Sequence, residues 1–154
     1  MVVPVGGHQM RWTIVASVFC AIASAAQAET KQELAKMSGR SWSAFECAAL
    51  AGFLKREEDH ARLFKGGYDQ GKRFIEAYLS GELKAEDANK EIPFGMSTIM
   101  QGPNVDFMLG RLWDMTSEAA LKPVYEVGGV PNDPATWNLK AAIEYENKNC
   151  DLLD

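Results

Sequence analysis

Between Ala44 and Leu54 the only charged residue is Glu46, so this stretch is apolar nearly all the way round a helix. Such a helix belongs in the centre of a fold. Ser43-x-x-Glu46 reads as a capping box that opens it. Cys47 lies on its stripe with Ala44, Ala48, Ala51 and Leu54. Downstream, Ala61, Phe64, Tyr68, Gly71, Ile75 and Tyr78 recur at alternating threes and fours, the one-sided seam of an amphipathic helix. Its opposite face carries Arg62, Lys65, Asp69, Lys72, Arg73 and Glu76, and Ser80-Gly81 should end it.

The stretch from Glu82 to Asn104 holds a helical turn or two, punctuated by Pro93, Gly95 and Gly102-Pro103. Asn104 can cap a third helix with Val105, Met108, Leu109, Leu112, Met115 and Ala119 inward, which Lys122-Pro123 should bend or end. "EVGGVPND" reads as a loop. Asp133-Pro134 then starts a fourth helix, a capping Asp with Pro at the first helical position. There Leu139, Ala142, Ile143 and Cys150 share one face. Strand signals are almost absent. The pattern predicts an all-α domain of four main helices plus short helical turns.

The N-terminus changes the picture of where the chain works. Arg11, an apolar run from Ile14 to Ala26, and Ala26-Gln27-Ala28 before Glu29 make a secretory signal peptide cleaved after Ala28. The run falls short of the roughly 20 apolar residues of a transmembrane helix. Met10 is an alternative start, and bulky Phe19 before Cys20 argues against lipidation. The expected organisation is a signal peptide over 1–28 and one helical domain over 29–154, periplasmic or secreted, without stable membrane insertion after cleavage.

Losing Arg11 leaves 15 of the 16 basic residues against 21 acidic ones, a balance of −6. That acidity argues against nucleic acid and anionic membrane surfaces as partners. Of the 3 cysteines, Cys20 leaves with the signal peptide. Cys47 and Cys150 remain and, in an exported protein, most simply form one disulfide joining the first helix to the last. Closing a loop of about a hundred residues contributes about 4–5 kcal/mol in the chain-entropy account.

Candidate chemistry is sparse. Glu57-x-x-His60 has di-iron spacing, but that site needs a second such pair, and His60 is the only histidine after residue 28. The same shortage excludes the usual zinc ligand sets and leaves a surface histidine beside an acidic run as the reading. There is no Gly-x-Ser-x-Gly elbow, and the glycines of "KGGYDQG" sit inside a helical pattern, where they allow close helix packing. No metal or cofactor is expected. Glu46, in an apolar helix, is the one carboxylate suggestive of acid hydrolysis, and the cap role accounts for it too.

"GPNVDFMLGRLWDM" is the best surface candidate. Asp106, Gly110 and Trp113 fall in one narrow arc beside the core stripe, so a carboxylate, a gap and an aromatic could form a recognition patch. The competing reading has Trp113 cap the core edge while Gly110 admits a neighbouring helix; Arg111 and Asp114 read as a surface pair.

An exported, small, helical chain with one long disulfide resembles, in outline only, periplasmic immunity proteins that neutralise wall-cutting effectors, and small acid-stress chaperones. The resemblance covers no motif and assigns no residue. The expectation is a non-enzymatic interaction protein (inhibitor, immunity or accessory factor) whose partner is another periplasmic protein. A small hydrolase using acidic residues and a stress holdase are the alternatives. N-terminal sequencing of exported material should begin at Glu29; intact residues 10–28 would contradict the cleavage.

Overall fold

A computed structural model describes residue 1 and residues 29–84, 86 and 92–153. The signal-peptide assignment, with Cys20, lies outside the described residues. Helices take up 74% of what is described. Four are long: α1 (Lys31–Phe53), α2 (Glu57–Leu79), α4 (Val105–Tyr125) and α5 (Trp137–Asn147), with the single turn α3 (Met96–Ile99) between α2 and α4. The fold is the all-α arrangement that the periodicity predicts.

Helix α1 begins well upstream of Ser43. Thr30 is its cap, its side chain accepting from the Glu33 N–H at 3.2 Å, so the functioning Thr-x-x-Glu pair is Thr30 and Glu33. Ser43 and Glu46 lie in mid-helix, and the expected capping box there is incorrect. The added turns carry two buried serines whose hydroxyls reach backbone carbonyls: Ser38 to Ala35 at 2.6 Å and Ser41 to Gly67 at 2.7 Å. Small polar residues bury without penalty when bonded in this way.

Those serines matter because α2 lies against them with no side chain at Gly67 and Gly71. A Cβ at Gly67 would stand 2.8 Å from Phe45 Cδ1, and one at Gly71 would stand 2.5 Å from Ser41 Oγ. The glycines therefore set the α1–α2 approach, as their helical context predicts. The buried face of α2 is Leu63, Gly67, Gly71, Phe74, Ile75 and Ala77. It is rotated from the expected seam, leaving Ala61 and Phe64 exposed. Helix α2 ends at Ser80 and Gly81, the latter at φ 78°.

Asn104 caps α4, accepting from the Phe107 N–H at 2.8 Å. Pro123 is carried inside the last turn of α4, which stops two residues later. A minimal antiparallel pair follows, Glu126–Val127 with Val130–Pro131, turning on Gly128 and Gly129 at φ 60° and 79°. Two glycines with positive φ suit such a two-residue hairpin turn. Asp133 accepts from the Ala135 N–H, and Pro134 opens the 3-10 turn that leads into α5.

Helix α5 faces inward through Ala141 and Tyr145. Leu139 and Ile143 are 64% and 46% exposed, contrary to the expected face. The expectation carried a helical phase through to Cys150, but Asn149 adopts φ 53°, ψ 41° and breaks it. Cys150 instead starts a 3-10 turn that returns to α1.

The Cys47–Cys150 disulfide spans 103 residues, with both cysteines fully buried and their Cα atoms 5.4 Å apart. Polar ties cluster around it. Lys148 Nζ donates to Glu46 Oε2 at 3.0 Å, Arg56 donates to Asp151 at 2.8 Å, and Arg62 donates to the Leu153 carbonyl. The Arg56 guanidinium also lies 4.2 Å over the ring of Tyr145, whose phenol burial pushes up. Exposed pairs contribute about 0–1 kcal/mol each, so the covalent tie dominates.

The core divides in two. One cluster joins the outer ends of α1 and α2 to α3 and the start of α4, around Leu34, Phe45, Phe74, Ile75, Met96 and Leu112. The other surrounds the disulfide, with Leu50, Leu63, Val124 and Tyr145. Trp113 packs against both. No helix among the described residues is long and apolar enough to cross a membrane. In the native protein both thiols should resist labelling until reduced, and Cys150→Ser should lower the unfolding free energy by about 4 kcal/mol, read by denaturant titration. Labelling of both thiols before reduction would refute the bridge in solution.

Candidate functional site

Asp106, Gly110 and Trp113 stand on successive turns of α4, and their spacing of four and three places them on one face. The structure brings all three to a hollow of about 210 Å³, whose walls also include Leu109 of α4, Phe45 of α1, and Phe64 and Tyr68 of α2. The sequence patch is thus one side of a site that three helices build. The sequence pattern puts Phe64 and Tyr68 on an inward seam. Their spacing of four puts them on one face of α2, but which way that face turns is set by the contact of Gly67 and Gly71 with α1.

Each wall has a local cause. Gly67 leaves room for the Phe45 ring over the backbone of α2. Phe45 then meets Phe64 with ring centroids 5.4 Å apart and Trp113 at 5.7 Å, edge to face. Phe64 and Trp113 close the triangle at 5.1 Å and 74°. Aromatic contacts of this kind add about 0.5–1.5 kcal/mol each beyond burial, so the three rings brace one another. Trp113 is only half-buried and Phe64 is 37% exposed, so aromatic surface still faces the solvent.

His60 braces the wall from behind. Its Nδ1 lies 2.8 Å from the Ala48 carbonyl oxygen, which can only accept, so Nδ1 carries the proton. The ring stands 6.0 Å from Trp113 and 6.1 Å from Phe64. Gly52 makes room for it, since a Cβ there would be 3.0 Å from Nδ1. The surface histidine expected from the acidic run is instead half-buried and joins α1 to α2.

The polar end of the hollow is Asp106. Tyr68 donates its hydroxyl to Asp106 Oδ1 at 2.7 Å, joining α2 to α4. That bond, more than partial burial and the nearby charges of Asp106, Asp69 and Glu76, holds the Tyr68 phenol above its ordinary range. Gly110 does not admit a neighbouring helix. A Cβ there would meet nothing within 4 Å, so the hollow is open at this position. Arg111 donates to the Gln101 carbonyl at 2.9 Å, a contact between α4 and the preceding loop in place of the expected pairing with Asp114.

Two other depressions compare poorly. About 450 Å³ lies along Asp114, Ser117, Glu118, Leu121, Lys122, Tyr125 and Glu126, all from α4 and the strand end, with mixed charge and no convergence of elements. A hollow of about 320 Å³ beside Arg40, Gln70 and Leu153 lies under the C-terminal segment. Glu46, the carboxylate considered for acid hydrolysis, is held by Lys148 at the disulfide and faces neither of them. Among the described residues, no group of three or more His, Cys, Asp or Glu side chains is placed to hold a metal ion. No family model, curated protein or solved structure matches this chain.

The Tyr68–Asp106 bond has a titration consequence. A phenol whose folded pKa is raised stabilises the fold below its unfolded pKa and loses that contribution as pH rises through the folded one. Asp106→Asn keeps an acceptor but removes the charge. One of the 4 tyrosines should then ionise at lower pH in an absorbance titration. An unchanged titration would show that Tyr68 and Asp106 are not bonded in solution.

Proposed function

We propose that the chain is an exported interaction protein that binds another protein of the periplasm or extracellular space through the aromatic hollow between α2 and α4. Gly110 is the observation that carries this reading. Glycine in a helix interior is less favourable than alanine by roughly 1 kcal/mol. At Gly67 and Gly71 the close approach of α1 accounts for that cost, whereas at Gly110 no packing neighbour does. What the missing side chain does there is leave the hollow open. A partly exposed Trp beside a cavity is also the kind of residue that anchors protein interfaces. The disulfide fits an oxidising compartment, which supports the exported location.

Size favours a protein side chain over a small molecule. Ligand pockets generally enclose about 300–1,000 Å³, and this hollow encloses about 210 Å³. A holdase is the second reading, favoured by the exposed Val127, Val130, Leu139 and Ile143 outside the hollow.

Trp113→Ala is a poor test, because Trp113 also packs against both core clusters. Gly110→Gln is better: it adds a helix-favouring side chain over the hollow and touches no other part of the fold. A pull-down from periplasmic extract with the wild-type protein should retain one stoichiometric partner, and Gly110→Gln should lose it while its thermal stability is raised, by up to about 1 kcal/mol from the helix propensity gained at an unpacked position. Equal retention by the variant would exclude the hollow. Many unfolded clients held equally by both proteins would favour the holdase.

A further inference from the structure

The hollow has a chemical asymmetry that says more about its occupant than its size does. Its walls are carbon, from Phe45, Phe64, Leu109 and Trp113, while its one charged group is the Asp106 carboxylate at the end nearest the start of α4. Oδ1 of Asp106 is engaged by Tyr68. A carboxylate accepts at both oxygens, and among the described residues no cation pairs with this one. On α2, Lys65 is paired with Asp69.

Several occupants fail on these walls. A sugar would find only Asp106 and the Tyr68 hydroxyl, already bonded to each other, as polar groups to hold its several hydroxyls. A quaternary ammonium needs aromatic faces spread around it. Here Phe45, Phe64 and Trp113 are packed on one another at 5.1–5.7 Å, so they form one wall and not a box. An acidic group would meet Asp106 and the net charge of −5 unfavourably.

We infer that the occupant is a basic segment of a partner protein, with one apolar side chain seated against Phe64, Leu109 and Trp113 and an adjacent Lys or Arg paired to the Asp106 carboxylate. The inference rests on the binding reading above and adds to it the partner's charge. The apolar side chain gains area that the open position at Gly110 leaves accessible. The cation gains a charge-assisted hydrogen bond to a carboxylate already oriented by Tyr68, so little further ordering is needed on this side. Asp106 then fixes which way the segment runs across the hollow.

The test is selection from a random peptide library displayed on phage, against the folded, oxidised protein and two variants, Asp106→Asn and Gly110→Gln, each checked for fold by circular dichroism. Peptides enriched on the wild type should carry Lys or Arg beside an apolar residue and should lose binding to Gly110→Gln. A synthetic copy should bind Asp106→Asn about tenfold more weakly, the effect of losing one hydrogen bond to a charged group. Its affinity for the wild type should fall with salt. Enriched peptides that need Gly110 but lack a basic residue, or that bind Asp106→Asn equally, would overturn the inference and leave the binding site standing. Peptides indifferent to Gly110→Gln, or no enrichment, would overturn both.

Discussion

The disulfide between Cys47 and Cys150 is the constraint that makes this chain one body. Helix α5 has only 11 residues, and isolated helices below about 12–15 residues are marginal in water. Its buried contribution is small, Ala141 and Tyr145. What keeps it against α1 is the covalent tie one turn beyond its end, reinforced by Lys148 on Glu46 and Arg56 on Asp151 and Tyr145. The bond acts mostly on the unfolded chain by removing the freedom of a long loop. Its effect in the folded state is to give the second core cluster a fixed wall, against which Leu50, Leu63 and Val124 pack.

The site grows out of the packing between α1 and α2. Where Ser41 meets Gly67 and Gly71, the two backbones come close enough for a side chain of one to bond to a carbonyl of the other. That approach leaves Phe45 lying over Gly67, and Phe45 in turn positions Phe64 and Trp113. The same small residues that tighten one interface therefore push aromatic rings towards the surface at its edge. The hollow is a by-product of close packing that Gly110 then leaves uncovered. Because Trp113 belongs to both core clusters and to the wall, loss of its side chain would lower stability and reshape the site together.

Much of this was legible from residue pattern, and the failures share a cause. Four helices, the pairing of the cysteines, and the caps at Asn104 and Asp133 follow from signals that act within a few residues. The start of α1 was hidden because Ser38, Gly39 and Ser41 look like surface or breaker residues. Only the carbonyls that Ser38 and Ser41 meet, one of them on α2, make those two serines core. The inward face of α5 was misplaced because the helical phase does not survive Asn149. Of the site, one wall could be read, since Asp106, Gly110 and Trp113 share a helix. The α2 wall could not, because the rotation of α2 about its axis is set by Gly67 and Gly71 against α1, a contact between distant segments.

The packing around the hollow bears on the binding role proposed for it. Phe45, Phe64, Trp113 and His60 support one another, and Tyr68 is fixed at its hydroxyl by Asp106. A surface built of such groups loses little side-chain freedom when it is covered, so more of the contact energy appears as affinity. An adaptable surface behaves differently: flexible Met-rich faces accept many partners because they repack around each one. Here Met96 and Met108 are buried in the first cluster and are absent from the walls of the hollow. A carbon-walled recess with one oriented carboxylate would select by shape and by charge at once, so the proposed binding role fits a single partner better than a range of unfolded chains.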